Sequence, residues 1–158
     1  MAQAQHLLSG QVTVNGTDLW DAFGVFLRDE RAGQHENLNA LFAPSKTKVQ
    51  VAVNIREEDG DDMSDTLLVK SEGRDVTLHF ALQAGDAAEF VTRYSAFIRF
   101  LKTGSDGWLT FSFPTLGLTM RMYAVEWPSG FTAISNLWAG GGQCGVFKVK
   151  FREPVPSF

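Results

Sequence analysis

Val76-Thr-Leu-His-Phe-Ala-Leu82 alternates strictly, with Val76, Leu78, Phe80 and Leu82 on one side and Thr77, His79 and Ala81 on the other. A period of two marks a half-buried β-strand. A few residues on, the period changes. In Asp86-Ala-Ala-Glu-Phe-Val-Thr-Arg-Tyr-Ser-Ala-Phe-Ile-Arg-Phe-Leu101, Phe90, Tyr94, Phe97, Ile98 and Leu101 fall at i, i+4, i+7, i+8 and i+11, the spacing of one helix face. Asp86 stands in the N-cap position, and Glu89, three residues later, completes a capping-box-like pair. Gly104 sits where a helix would stop. The spacing predicts one helix over about 86–103, entered from a strand.

Reading outward, strands dominate both sides. Gln11-Val-Thr-Val14 alternates into Asn15-Gly16, a strong hairpin signal. Leu19-Trp-Asp-Ala-Phe-Gly-Val-Phe-Leu27 reads as a second strand, with Gly24 marking a bulge or a close backbone approach. Residues 28–45 read as a long connection ending at Pro44, and connections of that length are commonly functional or poorly ordered. Val49, Val51, Val53 and Ile55 alternate with polar or small residues, so another half-buried strand is expected there. An acidic loop, 57–65, follows, and Thr66-Leu-Leu-Val69 can pair between that strand and the one at Val76 to Leu82. Beyond the helix come Trp108 to Phe113, the alternating Leu116, Leu118, Met120 and Met122, a short piece near Phe131 to Ile134, and Phe147, Val149 and Phe151 before Pro154. There is no βαβ alternation, so a doubly wound parallel sheet is excluded in favour of a mainly β fold. The expected architecture is a single domain over 1–158, an antiparallel β-sandwich or barrel with one flanking helix, with residues 1–10 flexible.

Composition bounds the function. The chain has 158 residues and a formal charge of −4. Such a length buries enough surface to fold without a disulfide or metal. The acidic balance is wrong for a protein that neutralises phosphates, so sequence-specific nucleic-acid binding is not expected. One cysteine, Cys144, excludes an internal disulfide. No secretory signal and no apolar run of membrane-spanning length is present, so neither export by a leader nor membrane insertion is expected.

The chemistry-bearing residues form no recognisable frame. His6, His35 and His79 are far apart in sequence and lie in no metal-binding spacing. His79 faces away from the apolar stripe of its strand, which reads as a solvated or interface histidine. Cys144, in Gly-Gly-Gln-Cys-Gly, has no base beside it and reads as a strand cysteine. Gly140 to Gly145 lacks the Lys-Ser or Lys-Thr of a phosphate-binding loop and reads as a hairpin turn. The acidic run Glu57, Glu58, Asp59, Asp61, Asp62 and Asp65 does not match an EF-hand loop and reads as a solvated tip or a contact with a basic neighbour. No catalytic residue, no cofactor and no metal site is assigned, and the chain is not expected to be an enzyme.

The order of several short segments resembles phage distal tail proteins and related baseplate and tail-tube-like proteins. Val14-Asn-Gly-Thr-Asp-Leu19 with Phe23-Gly-Val25 resembles their opening hairpin. Arg74-Asp-Val-Thr-Leu78 with Phe80, the helix from Phe90 to Leu101, Met120-Arg-Met-Tyr123 and Phe147 to Pro154 resemble their later segments, in the same order. The resemblance covers about residues 12–154. Many members carry a second, C-terminal β domain, and nothing about that domain carries over to the residues up to Phe158.

The resemblance implies a structural virion protein, made in the bacterial host cytoplasm and placed in the tail of a phage or prophage. It would form a homo-oligomeric ring, commonly six-fold, around the DNA channel and contact other tail or baseplate proteins. A ring needs one face of a subunit to meet a different face of the next. The long connections are the contact candidates: Leu38, Leu41 and Phe42 in the first, Glu57, Glu58, Asp59, Asp61, Asp62 and Asp65 in the second. Leu38, Leu41 and Phe42 can equally fold back on their own core. A competing reading is a small-molecule or carbohydrate-binding β-sandwich, with Trp20, Trp108, Trp127 and Trp138 as stacking platforms.

Overall fold

The computed structural model describes residues 9–158 except Ala32, Ile55 and Glu58. The strands are β1 (Thr13–Val14), β2 (Thr17–Asp18), β3 (Val25–Leu27), β4 (Ala52–Asn54), β5 (Asp61–Met63), β6 (Arg74–Ala84), β7 (Leu109–Phe113), β8 (Leu118–Glu126), β9 (Ala133–Ile134) and β10 (Gln143–Glu153). Eight of them form one curled, antiparallel half-barrel sheet in the order β2-β1-β7-β8-β10-β6-β3, with β9 also on β10. β4 and β5 pair with each other in a separate two-stranded sheet.

The sheet is organised by β6 and β10, paired without a break from Arg74↔Glu153 to Ala84↔Gln143. Both strands are 11 residues long and alternate as their sequences predict. Val76, Leu78, Phe80 and Leu82 face the core, opposite Phe147, Val149 and Phe151. The helix predicted over 86–103 is α3 (Ala87–Thr103), capped by Asp86 Oδ1, which accepts from Glu89 N at 2.7 Å. Glu89 reaches back to accept from Gly85 N at 3.0 Å, one residue before the cap itself. Gly104, at φ 51°, ends the helix. Phe90, Phe97 and Leu101 are buried, while Tyr94 and Ile98 line the edge of the stripe.

The core between helix and sheet is largely phenylalanine. Phe97 meets Phe80 at 5.4 Å and Phe23 at 5.6 Å, and Tyr94 meets Phe147 edge-on at 5.3 Å. Such edge-to-face rings add to the energy of area burial. Gly145 lets Phe90 and Phe131 lie on the β10 backbone, because a Cβ there would come within 2.7 Å of the Phe90 ring.

Three expectations need correction. Leu19 to Leu27 is not one strand. Asp18 accepts from Trp20 N and Asp21 N, so the chain turns into a short helix, α1 (Leu19–Phe23), before β3. Gly24 closes that helix at φ 67° and is also the close approach expected: a Cβ there would lie 2.7 Å from Gln83 O.

Second, the connection 28–45 is not wholly irregular, since it contains α2 (Glu36–Phe42), and the loop 57–65 contains β5. Third, Val49, Val51 and Val53 are not half-buried, as described below.

The Asn15-Gly16 hairpin forms as read, with both residues at positive φ. Asn15 also fastens the hairpin to β7, accepting from Thr110 N at 2.8 Å and donating to Trp108 O at 3.1 Å. Of the segment expected to be flexible, residues 1–8 lie outside the described residues. Ser9 and Gly10 are tied to Asp21 and Asp18. Among the described residues, no helix is long and apolar enough to cross a membrane.

Candidate assembly surface

The segment from Lys46 to Glu72 projects as a β-hairpin. Its base is laced by Glu72 N donating to Lys46 O (2.7 Å), the Thr47↔Ser71 bridge, and Lys48 N donating to Lys70 O (2.8 Å). Gln50 Nε2 then reaches Leu68 O at 3.2 Å. Further out, β4 and β5 pair as Ala52↔Met63, Val53↔Asp62 and Asn54↔Asp61. The extra residues on the returning strand are absorbed between Met63 and Leu68.

The alternation in Val49, Val51 and Val53 therefore records strand pairing, but among the described residues no sheet covers the valines. Val49 is 85% exposed and Val51 87%, and Leu67, Leu68 and Val69 on the returning strand are also exposed. A two-stranded hairpin is marginal in water on its own, and contiguous exposed apolar side chains mark an interaction surface.

The acidic residues gather at the far end of this hairpin. Glu57 and Asp59 lie in its turn, Asp61 and Asp62 on β5, and Asp65 just beyond. Glu58 lies outside the described residues. The first group of contact candidates divides. Leu38 and Phe42 are exposed on α2, and Phe42 meets the ring of Phe158 edge-on at 5.6 Å. Leu41 is 1% exposed, because the helix turns it into its own core.

The four tryptophans do not make one platform. Trp20 packs edge-on against Phe26, Trp108 lies under the guanidinium of Arg121 at 3.9 Å, and Trp127 carries Lys102 at 5.2 Å. Trp138 is 96% exposed beside Val91 and Ile134.

Cys144 lies on β10, half-buried as a strand residue, in a groove with Trp20, Asp21, Arg93 and Gln143. Among the described residues, no histidine lines that groove. Ser135 engages the Cys144 backbone, donating from Oγ to its carbonyl and accepting from its N–H.

His79 departs from its reading. Its side chain is neither solvated nor at an open surface, because the segment before α2 folds over it. Nε2 lies 3.2 Å from Glu30 Oε1 and 3.2 Å from Glu36 Oε2. The sequence signal was the polar phase of the β6 alternation, which says which face His79 takes but not what covers that face.

No protein-family model and no curated protein sequence matches the chain. Among solved structures the fold is similar to that of SPP1 Dit (gp 19.1), a protein titled a paradigm of the hub adsorption apparatus in phages that infect Gram-positive hosts. The TM-score is 0.57 at 12% sequence identity, over 92% of this chain and 50% of that one, so the chain spans half the length of the Dit protein.

Proposed function

We propose that this chain is a structural subunit of a phage or prophage tail, of the distal-tail or tail-tube-like kind. It would assemble with copies of itself into a ring around the DNA channel and dock other tail or baseplate proteins. The observation that carries the reading is the bare hairpin from Lys46 to Glu72 on a sheet whose fold is similar to that of a phage hub protein. A strand pair with apolar residues and open edges is suited to pairing with a neighbour, where main-chain hydrogen bonds supply affinity and alternate side chains supply specificity. In a ring, the hairpin of each subunit would lie on a different face of the next, which is the heterologous contact that closed cyclic assembly requires.

The contact set is then Val49, Val51, Leu68 and Val69 along the hairpin and Glu57, Asp59, Asp61, Asp62 and Asp65 at its tip. Leu38 and Phe42 on α2 offer a second, smaller contact. Leu41 drops out of the set because it is spent on its own core.

The test is size-exclusion chromatography with light scattering at several concentrations and two salt levels, with negative-stain imaging of any large species. A closed ring with a central hole supports the reading. A monomer that stays monomeric in the presence of its neighbouring tail proteins overturns it.

A further inference from the structure

We propose that Glu30, Glu36 and His79 form a binding site for one divalent first-row transition ion of the zinc type. One nitrogen and two carboxylates converge from three places in the chain: the exit of β3, the start of α2 and the middle of β6. Their ligand atoms all lie within 4.8 Å of one another. Around a tetrahedral ion with bonds of about 2.1 Å, ligand atoms stand roughly 3.4 Å apart. The two His79–Glu separations, both 3.2 Å, already match that edge length. Imidazole together with carboxylate favours zinc-like ions over magnesium or calcium, which take oxygen ligands.

Charge makes the same point. Among the described residues, neither Glu30 nor Glu36 has a lysine or arginine within ion-pair distance. Among the described residues, their only ion-pair partner is one imidazole nitrogen. Glu30 Oε1 and Glu36 Oε2 both lie 3.2 Å from that nitrogen, which has at most one hydrogen to divide between them, and their other donors are Thr132 Oγ1 at 3.2 Å and Glu30 N at 3.4 Å. His79 Nδ1 is buried with no hydrogen-bond partner, so nothing on that side fixes the ring. Polar anchoring of the ring therefore acts at Nε2, where an ion between it and the two carboxylates would add both positive charge and fixed geometry.

The surrounding backbone presents the three ligands without help from the ion. Asn37, buried, clamps the His79 backbone on both sides, accepting from its N–H at 2.7 Å and donating to its carbonyl at 3.1 Å. Arg28 N also donates to His79 O at 3.0 Å, and Asp29 Oδ1 accepts from Asn37 N at 3.0 Å. Thr132 Oγ1 donates to Glu30 Oε1 at 3.2 Å, orienting the carboxylate from β9's side. Ligands held by a second layer of hydrogen bonds bind metal with less reorganisation. The ion would pin the 28–37 segment to β6.

The experiment uses tag-free, full-length protein stripped with EDTA. Zinc, manganese, magnesium and calcium are titrated singly by calorimetry, and thermal unfolding is followed with each. The expected result is one zinc per chain and a higher midpoint with zinc than with magnesium or calcium. His79→Gln and Glu36→Gln should each weaken zinc binding more than tenfold. Glu30→Gln, at the most exposed of the three, serves as a check that keeps the fold if the others do not. Cys144→Ser and the Asp59→Asn/Asp61→Asn/Asp62→Asn variant should bind zinc as the parent does. An unshifted midpoint with zinc and manganese overturns the site and leaves a hydrogen-bonded Glu–His–Glu bridge. Binding retained in Glu30→Gln and Glu36→Gln, or lost in the hairpin variant, overturns it too.

Discussion

Arg74 and Glu153 are direct partners across the β6–β10 ladder, and their side chains close a buried ion pair, Nε to Oε1 at 2.7 Å, with 6% and 1% of each exposed. The pair does more than neutralise itself. Arg74 donates to Ala43 O at 2.5 Å and to Ala40 O at 3.4 Å, satisfying carbonyls where α2 ends, and lies 5.4 Å from the ring of Phe158. Glu153 accepts from Ser157 N and Oγ at 3.0 and 2.8 Å. Two distant stretches, α2 and the residues after β10, are thereby anchored at one end of the central ladder.

Removing one partner leaves the other charged and buried. Arg74→Met or Glu153→Gln should each lower stability by about 3–5 kcal/mol, whereas Arg74→Met with Glu153→Leu should recover most of that loss. Urea unfolding of the four proteins measures the coupling. Equal, additive losses would mean that the two side chains do not act as a pair. Because the pair is buried, its coupling should change little between low and high salt.

Gly145 should not accept a side chain. Gly145→Val drives a branched group into Phe90 and Phe131, and overpacking of this kind costs about 1–3 kcal/mol. Gly117→Val, at φ 64° with open space around it, separates backbone strain from crowding. Both variants should lose stability, but only Gly145→Val should also perturb the near-ultraviolet signal of the aromatic cluster, and an equal perturbation in both would overturn the crowding account.

Tyr94 carries an alkaline signature. Burial against Phe90, Phe131 and Phe147 raises its phenol above the ordinary value of 10.0. The folded state therefore holds this proton more tightly than the unfolded chain. Its contribution is fully present below pH 10 and is lost as pH rises through the folded value. Stability measured from pH 9 to 11.5 should fall more steeply in the parent than in Tyr94→Phe.

Charge and apolar area at the hairpin should separate in their effects on assembly. Val49→Ser with Val51→Ser should shift any oligomer toward monomer at every salt concentration, since the lost term is burial. Asp59→Asn/Asp61→Asn/Asp62→Asn should weaken assembly mainly at low salt, where a basic neighbour feels the tip. Light scattering at 50 and 500 mM salt distinguishes them. Neither variant should change the unfolding midpoint of the monomer by more than about 0.5 kcal/mol equivalent, because the residues lie on the surface.

What the sequence made legible was governed by range. The Asp86 cap, the stripe from Phe90 to Leu101 and the Gly104 stop are all local, and α3 appears where they put it. The Asn15-Gly16 hairpin is local too. α1 escaped because five residues carry barely one turn of periodicity, and its only mark is Asp18, a cap that serves a strand end equally well. Leu41 could not be told from Leu38, since which side of a two-turn helix faces inward depends on β6. The Glu30–Glu36–His79 cluster was illegible for the same reason: the carboxylates and the imidazole meet only when the segment before α2 is laid across the sheet.

The valine hairpin has a further consequence, for the history of the chain before it finds a neighbour. A free subunit with Val49, Val51 and an open strand edge is a template that any extended peptide can join, including the same arm of another unassembled copy. Glu57, Asp59, Asp61, Asp62 and Asp65 sit at the tip of that template, so two solitary arms meeting head-on confront like charge, as gatekeeper residues do beside aggregation-prone strands. In the proposed assembly the acidic tip would then serve timing as much as contact, keeping newly made subunits apart until a surface of the right sign is offered.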